Sequence, residues 1–189
     1  MPKINAATVA EHRAQQRAAL IRAAVDVLVE QGATAVTPAA VGARAGLARS
    51  SFYQYFPSAA ALLAAIVEES FTAADAATAQ ALAEVGEPAA RIDAFIRTEL
   101  RIAAQGAHRP AKALMQAELP AECVARVHEL HHQHYAPLQA ALVDVTGDSA
   151  ELTGQLVGGI VQAAMTAVEH GADPDHVADH ALALLRNGL

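Results

Sequence analysis

Cysteine is nearly missing from this chain. Cys123 is the only one in 189 residues, which excludes an intrachain disulfide framework and fits a reducing compartment, the cytoplasm. Aromatic residues make up only 4%, and β-branched residues occur singly rather than in alternating runs, which argues against sheet. No apolar run approaches the roughly 20 residues that a membrane span needs. No apolar segment followed by a cleavage site marks a secretory leader near Met1. Catalytic signatures are missing too: there is no glycine-rich phosphate loop, no nucleophile elbow, and no CxxC or HExxH spacing. Enzymatic activity is not expected, and no cofactor is implied.

What is present is alanine, with leucine and valine next, in a chain that is 53% hydrophobic. Alanine is the strongest helix former, and the apolar residues recur at three- and four-residue spacing. The fold expected is all-α, and the length accommodates one compact domain or a small one fused to a larger. Residues 1–7 read as an arm. Thr8 caps a first helix with a buried stripe of Ala19, Ala23, Val27 and Leu20, Ala24, Leu28, and Gln31-Gly32 ends it. Arg13 and Arg17 lie one turn apart on its outer face.

The stretch from Thr37 to Pro57 reads as two short helices joined by a tight turn. Thr37 can cap the first, with Pro38 at its first position. Val41 and Ala45 share an apolar face, Gly46 supplies a helix C-terminus, and Leu47 turns inward. The second helix runs from about Arg49 to Tyr55 and is stopped by Pro57. Phe52 and Phe56, four apart, face inward. Arg49, Ser50, Ser51, Tyr53, Gln54 and Tyr55 face outward. Too short to stand alone, this helix makes sense as a presenter of polar and cationic groups, as in a helix-turn-helix.

Those residues resemble the DNA-binding domain of TetR-family transcriptional repressors. The resemblance rests on an Ala-Ala pair in helix one, Gly32, Thr37, Val41, Ala45-Gly46-Leu47, Tyr53-x-x-Phe56-Pro57-Ser58 and Leu62, and covers about the first third of the chain. Two positions depart from it: Ala48 stands where the family has a capping serine, and Ala59 where it has a phosphate-binding lysine. The resemblance implies a three-helix DNA-binding domain over residues 1–57 and a helical effector-binding and dimerisation domain over 58–189, about nine helices in all. It further implies a homodimer that binds double-stranded operator DNA and is released by a small-molecule effector. The DNA-facing set is Thr37, Arg44, Arg49, Ser50, Ser51, Tyr53, Gln54 and Tyr55. Arg49 and Gln54 are candidates for base edges; Thr37, Ser51, Tyr53 and Tyr55 are candidates for phosphates.

Charge distribution agrees with that division. The net charge is −7, yet through Pro57 six basic residues outnumber three acidic ones, a balance of +3, while the remainder stands at −10. Positive potential is thus confined to the helix-turn-helix segment.

Beyond it, Ser58 caps a long fourth helix reaching about Val85. A fifth spans Pro88 to Gln105 and a sixth Pro110 to Leu119. A seventh starts after Pro120 and is expected to kink or break near Tyr135, because Pro137 lies inside it. An eighth runs from Ala150 to His170, with Asp148 or Ser149 as its cap, and a ninth from Pro174 to about Arg186 is capped by Asp173. By the resemblance, the last two form the dimer interface through Leu152, Leu156, Gly159, Ile160, Ala163 and Ala167 with Val177, Ala181 and Leu184. An effector pocket is expected among Phe71, Phe95, Ile96, Leu100, Leu114, Met115, Leu130 and Met165. On the seventh helix His128, His131 and His132 stand at i, i+3 and i+4, within reach of one metal ion. A single helix rarely completes a tetrahedral site, so solvated histidines are the expected reading and no metal is assigned.

Overall fold

The computed structural model describes residues 6–115 and 121–187. Among them are nine α-helices in the order α1 (Ala6–Gln31), α2 (Pro38–Arg44), α3 (Arg49–Phe52), α4 (Ala59–Leu82), α5 (Pro88–Ala104), α6 (Arg109–Met115), α7 (Ala121–Thr146), α8 (Ala150–Glu169) and α9 (Pro174–Asn187). No strand occurs among the described residues, so the all-α expectation holds. The chain forms two compact units, Met1–Glu69 with Arg109–Val127, and Ser70–His108 with His128–Leu189.

In the first unit, α1 buries Leu20, Ala24, Val27 and Leu28, each at most 2% exposed. Gly32, at φ +84°, ends it, its N–H donating to the Leu28 carbonyl at 3.0 Å. One turn of 3₁₀ helix follows at Ala33–Ala35, which the residue pattern does not announce. The first turns of α4 bury Leu62, Leu63, Ile66 and Val67, and Ser58 caps that helix by accepting from the Ala61 N–H at 3.1 Å. The compact unit therefore continues past Pro57 to Glu69 and also takes in α6, which contacts α1. A boundary at residue 57 follows the motif; the division seen here follows burial, because the apolar face of early α4 lies on the same side as the core of its own unit. The sixth helix is described as Arg109–Met115, and residues 116–119 of its expected span lie outside the described residues.

In the second unit, α5, α8 and α9 pack on one another around Phe95, Ile96, Leu100, Val157, Val161, Ala164, Met165, Ala178 and Leu182, with Leu138 and Leu142 from α7. Asp173 caps α9, accepting from the His176 N–H at 2.8 Å. Ser149 stands before α8 without a side-chain capping bond, because residues 147–149 already turn as a short 3₁₀ segment. Of the kink or break expected, the break does not occur: α7 passes through Pro137 as one helix. The proline removes one N–H from the helix ladder, but Leu138 and Leu142 immediately after it are anchored in the core, and His134 before it is buried. Tertiary contacts on both sides hold the helix across the gap.

Candidate nucleic-acid interface

The helix-turn-helix is built by local hydrogen bonding that its residues make legible. Thr37 Oγ1 accepts from the Ala40 N–H at 3.2 Å and caps α2. At the other end, the Gly46 N–H donates to Ala43 and the Leu47 N–H to Gly42, at 3.2 and 2.8 Å. This pair of bonds with Gly46 at φ +69° is a Schellman closure, in which the left-handed residue satisfies carbonyls that the helix end orphans. Gly42 has a further role that sequence reasoning missed. A Cβ there would stand 3.1 Å from the Leu47 carbonyl oxygen, so the turn folds directly against α2 because Gly42 has no side chain. Only a glycine inside an otherwise good helix signals this in advance.

α3 is shorter than expected. Its α-helical part is Arg49–Phe52, and residues 53–55 continue as turns. Ala48, as its sequence suggests, makes no side-chain cap. What holds the element is burial: Phe52 is 0% and Phe56 4% exposed, their rings 5.9 Å apart. Such burial contributes about 1.5–3 kcal/mol per side chain, more than a cap supplies. Arg17 stands over the Phe56 ring at 5.4 Å and donates to Glu69 at 2.5 Å.

The outward residues divide into two groups. Thr37, Arg49, Ser50, Tyr53 and Gln54 are exposed, and no acidic partner for Arg49 occurs among the described residues. Ser51 and Tyr55 are half-buried, and the Tyr55 hydroxyl donates to Gln16 Oε1 of α1. Tyr55 thus braces the element and offers its hydroxyl less freely than Tyr53 does. Arg44 is engaged as well: its guanidinium donates to both Glu30 oxygens, at 2.5 and 2.6 Å, with Asp26 at 3.6 Å. The hydrogen bond to Arg44 holds the Glu30 carboxyl below its usual range, and the same bond raises Arg44. Phosphate contact by Arg44 requires it to leave that pair.

The second unit places the other expected residues differently. Phe95, Ile96, Leu100 and Met165 are packed core, and Leu130 is 8% exposed. Phe71 is half-buried, its ring edge-on to His134 at 5.9 Å. Leu114, 0% exposed, belongs to the first unit, and the Met115 side chain lies outside the described residues. None of these lines the open cleft of about 910 Å³ between α7 and α8, whose walls include His131, Tyr135, Gln139, Gly158 and Gln162. Phe95, Ile96, Leu100 and Met165 point inward and pack within the core of their own unit.

Along α8, Leu152, Leu156, Gly159, Ala163 and Ala167 form an exposed stripe, with Leu152 at 63% and Leu156 at 61%. Ile160 and Val177 pack on the chain's own core, and Ala181 lies within it; Leu184 is half-buried. Ala181 faces inward because α9 presents it to α5 and α8, so it has no surface left for a second chain.

His128, His131 and His132 do not converge on a metal site; no group of three metal-ligating side chains occurs among the described residues. His131 instead stacks on Tyr135 at 4.6 Å. Burial, then repulsion from His134 and His128, pushes its pKa down. The histidine that matters structurally is His134, 3% exposed. Its Nδ1–H donates to Asp75 of α4 at 2.6 Å and its Nε2–H to Glu99 of α5 at 3.0 Å. Burial alone would push His134 down, but hydrogen bonding and attraction, to Glu99 first and then Asp75, outweigh it and raise its pKa. Burial and the Glu99 charge push the neighbouring Tyr135 far up. The signal was available: His134 occupies the apolar stripe of Val127, Leu130 and Leu138.

Fold and site together define a helix-turn-helix DNA-binding protein with a second, all-helical unit. Residues 20–66 match the profile of the bacterial regulatory proteins of the tetR family. Solved structures share the fold. The transcriptional regulator FadR from Bacillus subtilis, solved with stearoyl-CoA, is 19% identical, with 90% of this chain and 98% of that one covered and a TM-score of 0.77. A TetR-like transcriptional regulator from a Rhodococcus species is 22% identical over 92% and 94% of the two chains, with a TM-score of 0.76. AibR, solved with isovaleryl coenzyme A and operator DNA, is 12% identical over 89% and 97%, with a TM-score of 0.74. No curated protein sequence matches. No described helix is long and apolar enough to cross a membrane.

Proposed function

We propose that this chain is a transcriptional repressor rather than an enzyme, acting in the cytoplasm as a homodimer that leaves its operator when a small molecule binds the second unit. The observation that carries the reading is the exposed set Arg49, Ser50, Tyr53 and Gln54 on an element anchored by Phe52 and Phe56. A rigid base under a cationic, hydrogen-bonding face suits the major groove, where Arg49 and Gln54 can meet base edges. Tyr53 and Thr37 suit phosphates. Two heads spaced roughly 34–36 Å apart read successive half-sites, and the exposed α8 stripe supports the dimer that this needs. The acyl-CoA ligands of FadR and AibR support a small-molecule effector. Release is then a population shift: the effector favours a conformation in which the heads no longer suit the operator.

A gel-shift on DNA upstream of the gene tests this. Sequence-specific retention is expected, with Arg49→Ala weakening it by about 1–3 kcal/mol and relaxing specificity at one base pair. Equal, weak retention of every DNA tested, unchanged by Arg49→Ala, would exclude the repressor.

A further inference from the structure

Glu99 is the most unusual side chain of the second unit. It lies in the middle of α5, is 0% exposed, and carries a carboxylate. One oxygen, Oε1, accepts from His134 at 3.0 Å and from Thr78 at 3.5 Å. The other, Oε2, is buried with no hydrogen-bond partner among the described residues. The Nε2 of His108, just beyond α5, is buried and unpartnered in the same way and stands 3.7 Å from Oε2. That separation is too long for a hydrogen bond between them. It suits two acceptors that share one donor, since a nitrogen about 2.8 Å from each lies within ordinary hydrogen-bond range.

The charges nearby indicate what the donor carries. His134 sets one imidazolium between two carboxylates, Asp75 and Glu99, and both of its N–H groups are already committed. His131, one turn earlier on the same helix, is held toward its neutral form. Counting Asp75, Glu99 and His134, carboxylates outnumber imidazolium two to one, and Glu99 Oε2 keeps an unused lone pair at the buried end, facing His108. Aromatic rings border it: Phe71, Phe95 and Tyr135 lie 5.9, 5.7 and 5.4 Å from the His134 ring. An anionic group would meet repulsion here, and a neutral hydroxyl would satisfy an acceptor but leave the charge uncompensated.

We infer that Glu99 Oε2 and His108 Nε2 form the recognition end of the effector site, and that the effector is a small organic cation with N–H donors, a protonated amine or an amidinium. This rests on the effector-released reading above and narrows it. It sets this chain apart from the relatives solved with coenzyme A thioesters, whose phosphates are anionic.

The test uses the full chain and four ring-matched probes: benzylamine and benzamidine as cations, benzyl alcohol as the neutral form, and benzoate as the anion. Calorimetric titration is expected to show saturable binding of the cations, with the alcohol and benzoate weaker by about tenfold or more. Glu99→Gln should remove that discrimination with its helicity retained. Where Glu99→Gln fails to fold, His108→Gln, at a partly exposed position, should weaken cation binding severalfold. The inference is overturned by benzoate binding as tightly as benzylamine, by neither cation binding so that water alone occupies the site, or by cation affinity unchanged in the folded variants. Operator binding is measured separately. A protein that holds its operator and ignores both cations keeps the repressor reading and loses this one. A protein that binds cations through Glu99 but no operator does the reverse.

Discussion

At the scale of single residues, His134 has the clearest consequence. Its imidazolium is bound on both nitrogens by carboxylates from two other helices, so its pKa is higher in the fold than in the unfolded chain. The stability it contributes is complete below the ordinary value of 6.5 and is lost as pH rises through the raised native value. His131, shifted the opposite way, takes stability away as pH falls below that same ordinary value. Urea unfolding as pH rises above about 6.5 should show falling stability in the wild type and a flatter profile in His134→Gln. His134→Ala, which strands Glu99, should cost on the order of 3 kcal/mol at neutral pH. Gly46 is the other residue with a sharp expectation. At φ +69° a side chain is strained, so Gly46→Ala should lower the unfolding free energy by about 1–2 kcal/mol, read from the denaturation midpoint.

At the scale of elements, α3 shows how a weak helix is made rigid from outside. Four α-helical residues without a cap cannot persist alone; Phe52 and Phe56 beneath, and Tyr55 on Gln16, fix them in place. Ala48→Ser supplies the absent cap and should stabilise the first unit by about 1 kcal/mol. Thermal unfolding measures the gain, and operator affinity should rise if fraying of α3 limits binding. α7 shows the same principle in reverse. Pro137 predicts a kink or a break from local chemistry, and core contacts on either side prevent the break.

At the scale of the whole molecule, the proposed dimer depends on a face the chain does not cover itself. Nothing lies within 4 Å of a Cβ built at Gly158 or Gly159, so these glycines are not required by packing within the chain. Gly159 lies in the exposed stripe, while Gly158 borders the cleft beside α7. Leu156→Glu places a charge on the exposed stripe and should convert the dimer to a monomer by light scattering, with the fold intact by circular dichroism. Operator affinity should fall with it, because each head then binds without the effective concentration that the other provides.

Sequence alone determined the helical class, the caps at Thr37, Ser58 and Asp173, the Gly46 turn, and the inward Phe52 and Phe56. Each depends on residues within a few positions of one another, where backbone chemistry and helical periodicity suffice. It also made the motif from Thr37 to Pro57 legible, since the polar outer face follows from the same periodicity. Only the tertiary structure decided which inward residues are packed core, that Arg44 is held by Glu30 and Asp26, and that Ala181 is spent within its own chain. It alone brought Asp75, Glu99, His108 and His134 together from four places in the chain. Periodicity tells which way a side chain points; what it meets there depends on how distant helices come to rest.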